Sequence, residues 1–142
     1  MSSKNNTRIL FLFVLFLMLF SACEDDSDLT DLTEDRENFI GTWSVSENCQ
    51  KKEYNVTIEK DPANSSQVII QGFLHIVNCD NPPQAIIAGS SIQMLEQEIC
   101  SSSFPYTVEG SGKLQNNTIN FNYYKKDEAD SLNCSAVFTR IK

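Results

Sequence analysis

Histidine is nearly absent from this 142-residue chain, which contains only His75. Catalysis by a Ser–His or Cys–His pair would have to use His75, which follows an apolar segment without a neighbouring acid. Gly-x-Ser-x-Gly, phosphate-loop and dinucleotide-binding motifs are also missing. Glu96 and Glu98 share one face of a predicted strand, where paired acids more often face solvent than form a glycosidase pair. We therefore expect no enzyme activity, catalytic residue or cofactor, and a hydrolase-type enzyme is the weakest alternative.

Basic charge is scarce, and the net charge of −8 is unevenly distributed. Residues 23–38 contain eight acidic residues against one arginine, a net charge of −7. Residues 39–142 contain eleven acidic and eight basic residues, a net charge of −3. Nucleic-acid binding requires a basic face, so we expect no nucleic-acid partner.

The chain has no apolar run long enough to span a bilayer comfortably. Ile9–Phe20 is a stretch of twelve uncharged residues that follows Lys4 and Arg8. A basic start, a short apolar core and small residues before a cleavage site are typical of a secretory signal peptide. We predict that residues 1–22 are this signal peptide and are removed.

The predicted cleavage site, Phe20-Ser21-Ala22-Cys23, resembles the lipobox of bacterial lipoproteins, with Phe20 in place of the usual aliphatic residue. The resemblance implies that Cys23 is acylated and becomes the first residue of the mature protein. Acyl chains contribute about 0.8 kcal/mol per buried methylene, so they would anchor the chain to a membrane. The alternative is that Cys23 is a free or disulfide-bonded cysteine after an ordinary signal peptide.

Residues 23–38 are predicted to be a flexible acidic tether, because blocks of like charge repel one another. Glu24–Asp28 also resembles the acidic stretch that follows the lipidated cysteine in lipoproteins of the Bacteroidota. That resemblance implies a position in the outer membrane, facing the cell exterior. A calcium site on these carboxylates would lack the glycine turn and spacing of a known loop, so we predict no metal there.

Beyond the tether, apolar residues alternate with polar ones, which indicates strands with one buried face. Turn residues separate eight such segments at hairpin spacing, which favours an all-β, antiparallel up-and-down (meander) barrel. A short helical turn is predicted within residues 31–39. The predicted strands are residues 40–48, 53–60, 67–74, 84–88, 91–97, 104–112, 117–125 and 133–141.

The first predicted strand indicates a more specific kind of barrel. Gly41-Thr42-Trp43 resembles the Gly-x-Trp strand of lipocalins and is similar to the opening of small lipocalin-like lipoproteins of the Bacteroidota. The resemblance implies a lipocalin-like β-barrel over residues 39–142, with Trp43 closing one end. The alternative is a core tryptophan in a β-sandwich. The positions expected to point inward are Trp43, Val45, Tyr54, Val56, Ile58, Val68, Ile70, Phe104, Tyr106, Val108, Phe121, Tyr123 and Phe138.

Four cysteines remain after Cys23, and an exported chain most often pairs them in disulfides. The first and last strands of an up-and-down barrel are neighbours, which favours Cys49–Cys134 and leaves Cys79–Cys100. Closing the longer loop is worth about 4–5 kcal/mol in the chain-entropy model. A zinc site is the alternative, but the cysteines lack the Cys-x-x-Cys spacing that structural zinc prefers.

Two function classes remain open. One is a non-catalytic binding or structural module that contacts a protein or a glycan through the barrel rim. The other is a carrier that holds a small apolar ligand in the barrel, although the bulky inward residues favour a filled core. Asp130-Ser131-Leu132 matches a short motif that is glycosylated in exported Bacteroidota proteins, which makes Ser131 a candidate glycosylation site.

Overall fold

The computed structural model describes residues 35–102 and 104–142, in which eight antiparallel strands form a closed barrel in sequential order. The prediction of an all-β up-and-down barrel is therefore confirmed. Cys23 lies outside the described residues, as does most of the acidic tether. The strands are β1 (Gly41–Glu47), β2 (Glu53–Lys60), β3 (Gln67–Gln71), β4 (Gln84–Ala88), β5 (Ser91–Ile99), β6 (Tyr106–Gln115), β7 (Thr118–Lys126) and β8 (Ser131–Arg140).

The barrel closes where β1 pairs with both β2 and β8. Val45 of β1 lies opposite Tyr54 on one side and Phe138 on the other, and all three side chains are buried. Closure removes the exposed edge strands that an open sheet would present. Within the described part of the chain, no helix is long and apolar enough to cross a membrane.

One end of the barrel, which we call the closed end, is sealed by residues that precede β1. Phe39 and Trp43 are fully buried there, and the indole Nε1 of Trp43 donates a 2.9 Å hydrogen bond to the carbonyl of Phe39. Residues 35–37 form a helical turn, from which Arg36 donates hydrogen bonds to the carbonyl of Asn64 in the β2–β3 connection and to that of Gln67 at the start of β3. The predicted helical turn is thus present at residues 35–37, and Trp43 lies at the closed end as expected.

The opposite end, which we call the mouth, is formed by the connections at residues 48–52, 72–83, 100–105 and 127–130. Both expected disulfides are present there. Cys49 bonds to Cys134, with 5.6 Å between their Cα atoms, and Cys79 bonds to Cys100, with 4.6 Å between theirs. The second disulfide ties the β3–β4 connection to the β5–β6 connection.

The prediction that the third strand reaches residue 74 is wrong. β3 ends at Gln71, and Gly72 follows with a φ of +79°, where an added Cβ would lie 3.0 Å from the carbonyl oxygen of Asn55. The chain then forms a 3₁₀ turn, Phe73–His75, across the mouth. Phe73 and Leu74 are buried by this turn, which we call the mouth turn. Phe73 and Leu74, which the sequence pattern placed in a strand, therefore fill the mouth of the barrel.

The prediction that Phe104 points into the core is also wrong. Its side chain is 72% exposed, because the preceding connection reverses at Cys100 (φ +55°) and β6 begins only at Tyr106. The backbone N–H of Phe104 donates to the carbonyl of Cys100, which holds Phe104 outside the strand. Tyr106 is half-buried, and the other eleven positions expected to point inward are buried.

Candidate functional site

A buried carboxylate lies just inside the mouth. Glu47, the last residue of β1, is 5% exposed. Its Oε2 atom accepts hydrogen bonds from the hydroxyl of Tyr54, at 3.1 Å, and from the hydroxyl of Tyr123. The other oxygen, Oε1, is buried and has no hydrogen-bond partner among the described residues. A buried acceptor without a partner is costly, so this oxygen is suited to receive a donor from a water molecule or a small ligand.

Burial and the neighbouring Glu47 change the pKa values of the two tyrosine hydroxyls. Burial raises the pKa of the Tyr54 hydroxyl well above its ordinary value of 10.0, and the negative charge of Glu47 raises it further. Burial also raises the pKa of Tyr123, assisted by its hydrogen bond to Glu47. Both effects favour the neutral phenol. Tyr54 and Tyr123 therefore act as hydrogen-bond donors that stabilise the carboxylate, and not as proton acceptors.

The mouth turn covers this cluster. The Phe73 ring packs edge-on against Tyr123, with 5.2 Å between ring centres, and the exposed imidazole of His75 stacks on Tyr54 at 5.7 Å. Glu47 was not among the positions expected to point inward. The signal was present, because the alternation that places Trp43 and Val45 inside continues to Glu47.

The other candidate residues are dispersed. Glu96 and Glu98 are both exposed and line different recesses on the outer wall. Ser131 is exposed at the start of β8, and its glycosylation stays a prediction. In the described residues, no group of three or more His, Cys, Asp or Glu side chains is arranged to hold a metal ion.

The outer wall of β5–β8 contains an open recess of about 540 Å³. A row of polar side chains, which we call the polar row, lines this recess. Four strands contribute one side chain each, and the residue after β1 contributes the fifth. The members of the row are Gln93, Ser111, Asn122, Ser135 and Asn48. Strand pairing places Gln93 opposite Ser111, Ser111 opposite Asn122, and Asn122 opposite Ser135. The N–H of Ser135 donates to the side-chain oxygen of Asn48 at 2.8 Å, which completes the row.

Two features shape this recess. The β5–β6 pairing shifts register between Met94 and Gln97, so Leu95 and Glu96 bulge out beside the polar row. On the inner side of the wall, a Cβ at Gly110 would lie 2.9 Å from the ring of Phe121, so glycine lets β6 pack directly on that ring. An adjoining recess of about 530 Å³ shares Gln93, Ser111 and Asn122 and extends toward Lys113.

A solved structure from Bacteroides fragilis NCTC 9343, described as a "putative outer membrane protein", is similar to this chain with a TM-score of 0.45 and 15% sequence identity. The similarity covers 79% of this chain and 53% of that one, so the chain spans about half the length of that protein. No protein-family model matches the sequence, and neither does any curated protein sequence.

Proposed function

We propose that this protein is a lipid-anchored protein of the bacterial outer membrane whose lipocalin-like barrel is a non-catalytic binding module. The module faces the cell exterior and uses its outer surface. The main support for this proposal is that side chains fill the interior of the barrel. Large buried side chains fill the barrel between the closed end and the mouth turn: Phe39, Trp43, Ile58, Phe138, Phe121 and Phe73. An eight-stranded barrel has room for side chains or for one small ligand, and here side chains occupy that room.

The position of the closed end supports the orientation in this proposal. The anchor would be Cys23, and residues 24–34 connect it to the helical turn at the closed end. Eleven residues span at most roughly 40 Å when fully extended, which keeps the barrel near the bilayer. The chain enters the barrel at the closed end, so the outer wall and the mouth lie away from the point of attachment and remain accessible to partners.

A carrier of a small ligand is the second candidate, and one observation favours it. Glu47 Oε1 lies buried beneath the mouth turn without a donor. A small ligand with an N–H or O–H group would satisfy this oxygen if the mouth turn moved aside. Such a ligand would be more polar than the apolar cargo expected from the sequence.

Native mass spectrometry of the protein solubilised from its own cells, without reducing agent, tests the proposal. We expect the mass of the acylated chain from Cys23 onward with two disulfides and no other bound mass. A bound molecule that is released on gentle activation, and whose mass is not that of an oligosaccharide, would instead support the carrier.

The anchor has its own test by membrane fractionation. Cys23→Ala should release the protein from the membrane or leave it in the wrong compartment, because the acyl chains would be lost. Ser27→Ala, in the same acidic segment, serves as the matched control and should remain with the outer membrane. Continued outer-membrane fractionation of the Cys23→Ala variant would contradict lipid anchoring.

A further inference from the structure

We propose that the outer-wall recess of β5–β8 binds a neutral oligosaccharide along the polar row. The inference rests on the proposed function, in which the outer surface binds the partner, and it names the surface and the class of partner. The register of four neighbouring strands places Gln93, Ser111, Asn122 and Ser135 opposite one another in a single row.

The dimensions of the row suit an extended chain. Neighbouring strands lie about 4.8 Å apart, so the five members of the polar row extend over roughly 19 Å along the curved wall of the barrel. Side-chain donors and acceptors therefore recur at one strand spacing, which is close to the length of one pyranose ring. A linear oligosaccharide presents hydroxyl groups at a similar repeat. Successive sugars could then meet successive strands.

The chemistry of the row suits hydroxyl groups. Amides and hydroxyls both donate and accept hydrogen bonds, as sugar hydroxyls do. The side chains of Gln93, Ser111 and Asn122 make no hydrogen bond to another described residue, so they are available to a ligand. Beside the row, Tyr124 lies opposite Glu109 on the mouth side and is half-buried, which leaves part of its ring and hydroxyl to contact a sugar.

A protein partner fits this recess less well. The cores of protein interfaces are enriched in aromatic residues, methionine and arginine and depleted in serine. The polar row has the opposite composition, and Leu95 is the large apolar side chain that lines the recess. A polyanion is also disfavoured, because Glu96 and Glu109 border the recess.

Isothermal titration calorimetry with defined sugars tests the proposal. The probes are cellohexaose, xylohexaose, mannohexaose and maltohexaose, with a chondroitin sulfate hexasaccharide as the anionic comparison. We expect at least one neutral hexasaccharide to bind and the anionic one not to bind. The absence of binding by every neutral probe would overturn the proposal.

Two double variants locate the binding site. Gln93→Ala with Asn122→Ala removes two amides of the polar row and should weaken binding about tenfold or more, because several hydrogen bonds are lost. Asn55→Ala with Gln115→Ala removes the same two residue types from exposed positions of β2 and of the closed-end terminus of β6, and this matched control should bind like the wild type. All four positions are exposed, so thermal melting should show both variants folded. Equal binding by the two double variants would overturn the proposal.

A third variant separates the recess from the rim. Val77 and Phe104 are 75% and 72% exposed on the two connections joined by the Cys79–Cys100 disulfide. Val77→Ser with Phe104→Ser should leave sugar binding unchanged, and loss of binding would move the site to the mouth. These outcomes concern the outer wall alone, whereas in native mass spectrometry a bound molecule whose mass is not that of an oligosaccharide would contradict the proposed function itself.

Discussion

The guanidinium of Arg140 lies over the indole ring of Trp43, 4.3 Å from its centre, at the point where the last strand pairs with the first. The same guanidinium donates hydrogen bonds to the carbonyls of Ile40, at 2.8 Å, and Asn38. Arg140 therefore fastens the chain entering the barrel to the strand that closes it. A barrel depends on this junction, because β1 and β8 are the most distant strands in the sequence.

Arg140→Ala should lower the free energy of unfolding by about 2–3 kcal/mol, because a cation–π contact and two charge-assisted hydrogen bonds are lost. Arg140→Lys should fall between this variant and the wild type, since lysine keeps the charge but not the planar donor group. Urea denaturation measures both. Stabilities within 0.5 kcal/mol of the wild type for both variants would show that the junction is not held by this side chain.

Trp43→Ala should destabilise the protein by about 3–5 kcal/mol, since it empties a fully buried site at the closed end. Ser46→Ala, at an exposed position of the same strand, is the control and should change stability by less than about 0.5 kcal/mol. Chemical denaturation compares the two. A loss below about 1 kcal/mol for Trp43→Ala would contradict its role as the plug of the barrel.

Tyr123→Phe should cost about 1.5–3 kcal/mol, because it removes a hydrogen bond to a buried carboxylate. The adjacent Tyr124 faces the outer wall, and its hydroxyl makes no hydrogen bond to a described residue, so Tyr124→Phe is a matched control. Equilibrium unfolding in urea should separate the pair. Equal stabilities would mean that Glu47 does not depend on Tyr123.

Stability should fall at alkaline pH. Because the folded-state pKa values of Tyr54 and Tyr123 are raised above 10.0, the folded protein retains phenol protons that the unfolded chain releases. Their contribution is complete below pH 10 and is lost above it, at about 1.4 kcal/mol per pH unit for each phenol. Urea midpoints between pH 8 and 11 measure the slope. Tyr123→Phe should reduce the slope, because it removes one of the two phenols, and an unchanged slope would contradict the role of Tyr123.

The two disulfides should differ in their effects when replaced by alanine pairs. Removing Cys49–Cys134, which joins residues 85 apart, should cost about 4–5 kcal/mol, and removing Cys79–Cys100, 21 apart, about 3 kcal/mol. Only removal of Cys79–Cys100 should speed hydrogen exchange in the mouth turn, because this disulfide holds the β3–β4 connection, which contains the mouth turn. Faster exchange there in both variants would indicate general loosening and not local release.

The local pattern of the sequence was sufficient to predict the barrel. Alternation of apolar and polar residues depends only on near neighbours, so it predicted strands such as β2 and β7 within a residue or two. The cysteine pairing followed from topology, because closure of a meander brings Cys49 beside Cys134. Phe73 and Phe104 were misplaced for the opposite reason. Backbone reversals at Gly72 and Cys100, which the apolar pattern does not report, decide where these side chains lie.

The candidate sites depended on tertiary structure to a greater degree. Alternation along β1 could have predicted that Glu47 points inward, but only folding brings the hydroxyls of Tyr54 and Tyr123 to its carboxylate. The polar row joins residues that are far apart in sequence, and its alignment follows from the register of four strand pairs. The sequence by itself determined most of the strands and their buried faces, and it favoured the disulfide pairing that the structure contains. Only the tertiary structure decided which polar side chains meet, because strand register and barrel closure are set by contacts between distant parts of the chain.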